Sequence, residues 1–238
     1  MTIELHDITK GVLVQRKRSP LFKHLDFWME DGERVAVLGH KRAGKTMLLQ
    51  LICGAEPVDE GWLECTSKVS WPIPQIDFFT PQMTIATNLR FFARMYGIDQ
   101  DKFVSEVGQL GEIESHLNDN LGYCPRYIRQ QLAFALSMWF DFDIYLFDDR
   151  VISTPKPFLA RATQILEART RNKGILVATS SPGIALQYCS TAFVLDGGRA
   201  EHYTDMKAAL KHFNSLAKDT GVEADEEEEE DDDDEPDM

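Results

Sequence analysis

Short apolar runs broken by charged or glycine-bearing turns set the rhythm of the first third of the chain. Thr2 to Leu5 alternates polar and apolar residues and predicts a strand, and Ser19-Pro20 predicts a break. Phe22, Leu25, Phe27 and Trp28 mark a second strand region, and Asp31-Gly32-Glu33 reads as a turn. Arg34 to Leu38 is then a short apolar run of the kind found in buried parallel strands. Met47 to Ile52 predicts a helix. Gly54, Pro57 and Gly61 punctuate the next stretch, and Trp62 to Val69 predicts a strand pair.

From about Pro81 to Leu121 the pattern turns helical. Leu89, Phe92, Ala93 and Tyr96 fall at spacings of three and four, so one face of that helix is apolar. Arg129 to Phe140 predicts another helix, and Asp143 to Asp148 a buried strand ending in acids. Phe158 to Arg171 is amphipathic; Gly174 to Ala178 and Ser190 to Leu195 predict strands; Met206 to Leu216 predicts a last helix. Alternating strands and helices of this kind give an α/β fold with a mostly parallel sheet covered on both faces.

Charge changes the picture at one end only. The chain of 238 residues has 25 Lys plus Arg against 39 Asp plus Glu, a formal charge of −14. Thirteen of those acids lie between Glu223 and Asp237, so the remainder holds 39 − 13 = 26 acids against 25 bases. A near-neutral body has no field to attract nucleic acid, so no nucleic-acid partner is expected. The stretch 218–238 reads as a disordered acidic tail, solubilising or tethering to basic loops of a partner or to Arg16-Lys17-Arg18 of a neighbour. Cys53, Cys65, Cys124 and Cys189 lack metal or disulfide spacing. No apolar run reaches the roughly 20 residues of a membrane span, and the N-terminus lacks a signal-peptide pattern. A cytoplasmic chain with reduced thiols is expected.

One segment carries decisive chemistry. Gly39-His40-Lys41-Arg42-Ala43-Gly44-Lys45-Thr46 matches G-x-x-x-x-G-K-[ST] between a buried strand and an apolar helix. Such a loop turns successive backbone N–H groups onto phosphate oxygens at a positive helix end. Lys45 would reach the β- and γ-phosphates of ATP and the Thr46 hydroxyl would ligate Mg²⁺. Asp148, ending the strand Ile144-Tyr-Leu-Phe, is the natural partner for that metal.

At these residues the chain resembles the nucleotide-binding subunits of ABC transporters. The likeness covers about residues 2 to 215 and rests on Phe22-Lys-His-Leu25, Asn88 to Tyr96, and Leu132 to Met138 running into Phe142 to Asp148. Ser70-Trp71-Pro72 and Leu132-Ala-Phe-Ala-Leu-Ser137 look like the capsule and polysaccharide-export branch. The resemblance implies a P-loop ATPase fold over 1–217, with a helical subdomain at about 81–140. It implies ATP and Mg²⁺ as ligands, a membrane permease and a second nucleotide-binding subunit (itself or a complete ATPase) as partners, and a peripheral place on the inner face of the membrane.

Departures from the family pattern matter as much. The signature loop, which contacts phosphate across the dimer through Ser and Gly, reads Cys124-Pro125-Arg126-Tyr127 here. Pro125 has no N–H, and Tyr127 fills space that glycine leaves open. The catalytic positions are implied to be Asp149, one methylene shorter than the family glutamate, and Ser180, where the family carries a switch histidine. The family's Q-loop glutamine falls near Thr80, with Gln75 and Gln82 displaced from it. Pro20 stands near the adenine-stacking aromatic, and Pro155 where an aspartate is usual. The implied function is an ATP-binding exporter subunit with weak or lost hydrolysis. A non-catalytic scaffold beside a complete ATPase and a soluble P-loop ATPase are the alternatives.

Overall fold

The computed structural model describes residues 3–14, 17–152 and 156–220. In chain order its strands are β1 (Ile3–Val14), β2 (Lys17–Met29), β3 (Arg34–Leu38), β4 (Glu60–Cys65), β5 (Ile144–Asp148), β6 (Gly174–Thr179), β7 (Thr191–Asp196) and β8 (Arg199–Tyr203). The helices are α1 (Lys45–Ile52), α2 (Ile85–Met95), α3 (Gln100–Gly111), α4 (Arg126–Trp139), α5 (Lys156–Thr170), α6 (Pro182–Tyr188) and α7 (Met206–Thr220). Pro155 and the acidic run from Glu223 lie outside the described residues.

Five strands form a sheet in the order β5-β6-β3-β7-β8, parallel except for β8. All six residues of β6 are buried, as a strand covered on both faces demands. The other sheet is antiparallel, β2-β1-β4. Its Ile3, Leu5, Phe27 and Met29 point into a core shared with α1 and the parallel strands, while Glu4 and Trp28 of the same strands point away. Gly198 joins the two sheets. The N–H of Lys23 donates to its carbonyl at 3.0 Å, and a Cβ there would lie 2.5 Å from the Leu21 carbonyl oxygen.

The predicted break at Ser19-Pro20 is instead interior to β2, with Pro20 opposite Gly11. The reason is position: β2 is the edge strand, where a residue without an N–H breaks no second ladder. Trp62 to Val69 is not a strand pair either. β4 pairs with β1, and Val69 bridges instead to Ile144 in parallel.

A second core holds α2, α3 and α4 together through Leu89, Phe92, Phe103, Val107, Leu132 and Leu136. Thr84 caps α2 by accepting from the Thr87 N–H at 3.1 Å, and Asp99 caps α3 by accepting from Lys102 at 2.8 Å. Tyr96, placed on the apolar face by its spacing, is 56 % exposed, because it falls just past the last turn of α2.

Candidate nucleotide site

Everything in the phosphate loop depends on two glycines that leave space. Gly44 has φ 100°, and a Cβ there would lie 2.7 Å from the Phe22 ring. Gly39 is pressed against Ala43, whose Cβ would be 2.9 Å from its own. The loop is anchored where the Gly39 N–H donates to the Thr179 carbonyl at 3.4 Å and Ala43 N–H to His40 carbonyl at 3.1 Å. By contrast, the N–H groups of Lys41, Arg42, Gly44, Lys45 and Thr46 make no hydrogen bond among the described residues. Five free donors within six positions, at the start of α1, form an anion cradle.

Lys45 is buried and spans this cradle, donating to the carbonyls of Gly39 at 2.9 Å and His40 at 3.3 Å. Burial pushes its ammonium below the usual lysine value, against the pull of Asp149 and Asp148. The Thr46 hydroxyl donates to Asp148 Oδ2 at 2.8 Å, joining α1 to the end of β5. Burial lifts the Asp148 carboxyl above its ordinary value, opposed by the Thr46 bond, reinforced by Asp149 and opposed again by Lys45. Both shifts penalise the charged forms, and both fall on groups that a phosphate and a cation would pair. Two hard oxygens side by side fit the sparse protein ligation that Mg²⁺ takes when a phosphate completes its shell.

A third side chain reaches this point from outside the motif. Gln75 Nε2 donates to the same Asp148 Oδ2 at 3.5 Å. Gln75, not the neighbourhood of Thr80, therefore supplies the glutamine at this carboxylate. Its register follows from β5: Leu146 N–H donates to Ser70 Oγ, Ile73 N–H to Leu146 carbonyl, and Asp148 N–H to Ile73 carbonyl, at 2.9, 2.8 and 2.9 Å. Residues 70–73 thus run alongside the strand, and Gln75 arrives at its end.

Asp149 and Ser180 lie on adjacent chain ends. Asp149 has φ 64°, its N–H donates to Ala178 at 2.7 Å, and its carbonyl accepts from Thr179 Oγ1 at 3.2 Å. The Arg150 N–H closes back onto the Asp148 carbonyl at 2.9 Å, a γ-turn-like kink that aspartate tolerates better than most residues. Ser180 follows Thr179 directly and is exposed. His40, within the loop, stacks on Phe213 of α7 with ring centroids 4.4 Å apart and planes at 14°.

The Cys124–Tyr127 loop belongs to other surroundings. Cys124 and Ile128 pack into the helical core, and Pro125 precedes α4 with no side chain capping the helix. Tyr123 and Tyr127 are 88 % and 44 % exposed. The four thiols are all raised by burial, Cys189 to about 12, which keeps them protonated and unreactive.

A family profile described as ABC transporter matches residues 22–151. The chain belongs to the ABC transporter family. It is 29% identical over 219 residues to the ATP-binding protein BexA of Haemophilus influenzae, covering 91% of this chain and 100% of that protein. It is 30% identical to the capsule polysaccharide export ATP-binding protein CtrD of Neisseria meningitidis, over 90% of this chain and 99% of that one. Among solved structures, the dimeric post-hydrolysis state of the ATP-binding cassette MJ0796 bound to ADP and Pi superposes with a TM-score of 0.71, at 16% identity over 86% of this chain and 99% of the other. The fold is that of an ABC ATPase cassette: a P-loop core of mostly parallel strands with an antiparallel sheet and a helical subdomain.

On the helical subdomain this ABC cassette carries an apolar groove of about 440 Å³. Trp71, Phe78, Met83, Phe91, Met95 and Tyr96 line it. Five of the twelve exposed large apolar side chains among the described residues fall in this one groove, Phe91 at 63 % and Met95 at 67 % exposed. A concentration of that kind marks a binding surface. No helix among the described residues is long and apolar enough to cross a membrane.

Proposed function

We propose that this chain is the ATP-binding subunit of an exporter of capsular or other cell-surface polysaccharide. It works from the cytoplasmic face of the membrane by docking on a permease. The observation that carries this reading is the end-to-end likeness to the capsule polysaccharide export protein, which spans 99% of that relative and leaves no room for a different architecture. The groove at Trp71, Phe91 and Met95 supports the permease partner, since an apolar helical segment is what such a surface accepts.

At the nucleotide site the free N–H groups of Lys41 to Thr46 and the Lys45 ammonium take the phosphates. Thr46 and Asp148 would hold Mg²⁺, which would neutralise phosphate charge. Gln75 braces the same Asp148 oxygen that Thr46 bonds. Asp149 is the candidate base and Ser180 stands at the switch position; neither supplies what a glutamate and a histidine would, so hydrolysis by this chain is slow.

Copurification decides between transporter subunit and soluble ATPase. Detergent-solubilised membranes should yield the chain with an integral-membrane permease, and Phe91→Asp with Met95→Asp should abolish the association without unfolding the protein. Recovery of the unmodified chain solely in the soluble fraction, with no permease bound, would refute the reading. A second reading, a non-catalytic scaffold beside a complete ATPase, is favoured by one observation: Pro125 and Tyr127 at the start of α4 lack the donors and the open space that phosphate needs.

A further inference from the structure

The direction of α7 carries the chain towards the edge of the sheet where the phosphate loop lies, as far as Thr220. β7 runs parallel to β3, β8 runs back antiparallel to it, and α7 then returns along them towards the edge where the phosphate loop sits. The stack of Phe213 on His40 fixes that helix at the level of the loop. Seven further residues carry it to Thr220, about 10 Å beyond the ring contact at the helical rise. The chain then continues for 18 residues, 13 of them acidic and none basic. Eighteen residues can reach at most roughly 60 Å by covalent geometry. The phosphate loop lies well within reach.

At that loop the chemistry is complementary. Lys41 and Arg42 are on its outer arch, and neither forms an ion pair among the described residues. With them the loop presents the five unbonded N–H groups, two of them their own, and the Lys45 ammonium. This is a site built for a dense row of anionic oxygens, and the sequence Glu223–Asp237 supplies a dense row of carboxylates. Tethering makes the encounter intramolecular, at an effective concentration on the order of millimolar. The carboxylates of Asp148 and Asp149 bound the cradle on its inner side, so the outer arch at Lys41 and Arg42 is where a polyanion meets least repulsion.

We propose that the acidic run Glu223–Asp237 docks on the phosphate loop of its own chain, at Lys41 and Arg42, and competes with the phosphates of the nucleotide. The inference rests on Gly39–Thr46 being the nucleotide-phosphate loop. The run acts as a built-in competitor: it raises the nucleotide concentration needed to fill the site, and arrival of nucleotide releases it. Once released, the same charge is available to a basic partner surface.

The test compares the full chain with a variant of equal length in which all 13 acids of 223–237 become Asn or Gln. At about 25 mM salt the neutral variant should bind ADP about five- to tenfold more tightly than the unmodified chain, and at about 0.5 M salt, where charge attraction is screened, the difference should fall below about twofold. Carbodiimide coupling of the unmodified chain should join Lys41 to the acidic run within one monomer, and ADP should suppress the product. Equal ADP affinity of the two chains at low salt overturns the proposal. So does coupling that joins the run only to Lys207 or Lys211, or only to a second copy in a covalent dimer. Coupling at Lys41 in a chain that binds no nucleotide supports the docking and defeats the nucleotide reading instead; the two failures are thereby separated.

Discussion

The start of α1 and the start of α4 are both helix ends that follow a loop, and they are built in opposite ways. At α1 every requirement of a phosphate cradle is met at once: Gly44 at φ 100°, free N–H groups, a buried lysine and a threonine bonded to Asp148. At α4 the helix is preceded by Pro125, which has no N–H to donate, and its first turn carries Tyr127, a bulky half-exposed side chain. The difference teaches that two helix starts in one fold can be built for opposite surroundings, one open and rich in free donors, the other closed by a proline and by packing into the helical core.

The largest effect should come from rebuilding the second end. Asp149→Glu, Ser180→His and replacement of Pro125, Arg126 and Tyr127 by Ser, Gly and Gly together should raise phosphate release by at least ~10²-fold. Asp149→Glu alone should leave turnover unchanged, because groups that act as a unit do not rescue one another singly. Several turnovers per second from the unmodified chain would erase the contrast altogether. Next comes Lys45→Ala, which removes a charged donor from the intact end. Nucleotide affinity measured by calorimetry should drop ~10- to 100-fold, and equal affinity would mean that the loop is not the phosphate site. The same assay on Tyr127→Ala should show no change, since α4 does not serve this chain's own nucleotide.

A smaller effect should appear in stability. The folded state raises the Asp148 carboxyl above its usual 3.8, so its charged form is disfavoured on folding. Asp148→Asn should therefore raise the melting temperature at pH 7. The sign fixes the pH dependence. As pH falls through the raised value, the wild-type carboxyl takes up its proton in the folded state first, the penalty disappears, and the gap between the two proteins closes. Thermal melts at pH 7 and pH 4.5 measure it. A gap that widens in acid would mean that the carboxylate is stabilised, not strained, by its surroundings.

The intact end was legible in the sequence because local signals coincide there: a buried apolar run, two glycines at fixed spacing, and an apolar helix. β3 spans Arg34–Leu38 and α1 begins at Lys45, as the pattern requires. Gln75 was not legible, because what brings it to Asp148 is lateral pairing of residues 70–73 with β5, through a serine hydroxyl that no spacing rule reads. Pro20 misled for a related reason: its tolerance depends on β2 being an edge, which only the assembled sheet reveals. The stack of His40 on Phe213 joins residues 173 apart in the chain and left no trace in either local pattern.

Ser70 is a completely buried hydroxyl that accepts from Leu146 and donates to the Trp71 carbonyl, and its neighbours give it a mechanical meaning. Trp71, immediately after it, forms a wall of the apolar groove, and Gln75, four residues further on, touches the carboxylate at the tip of β5. The chain between them is riveted to the strand at Ile73 and has almost no slack. Five residues, fastened to β5 midway, therefore separate the wall of the outer groove from the Asp148 carboxylate at the tip of the strand.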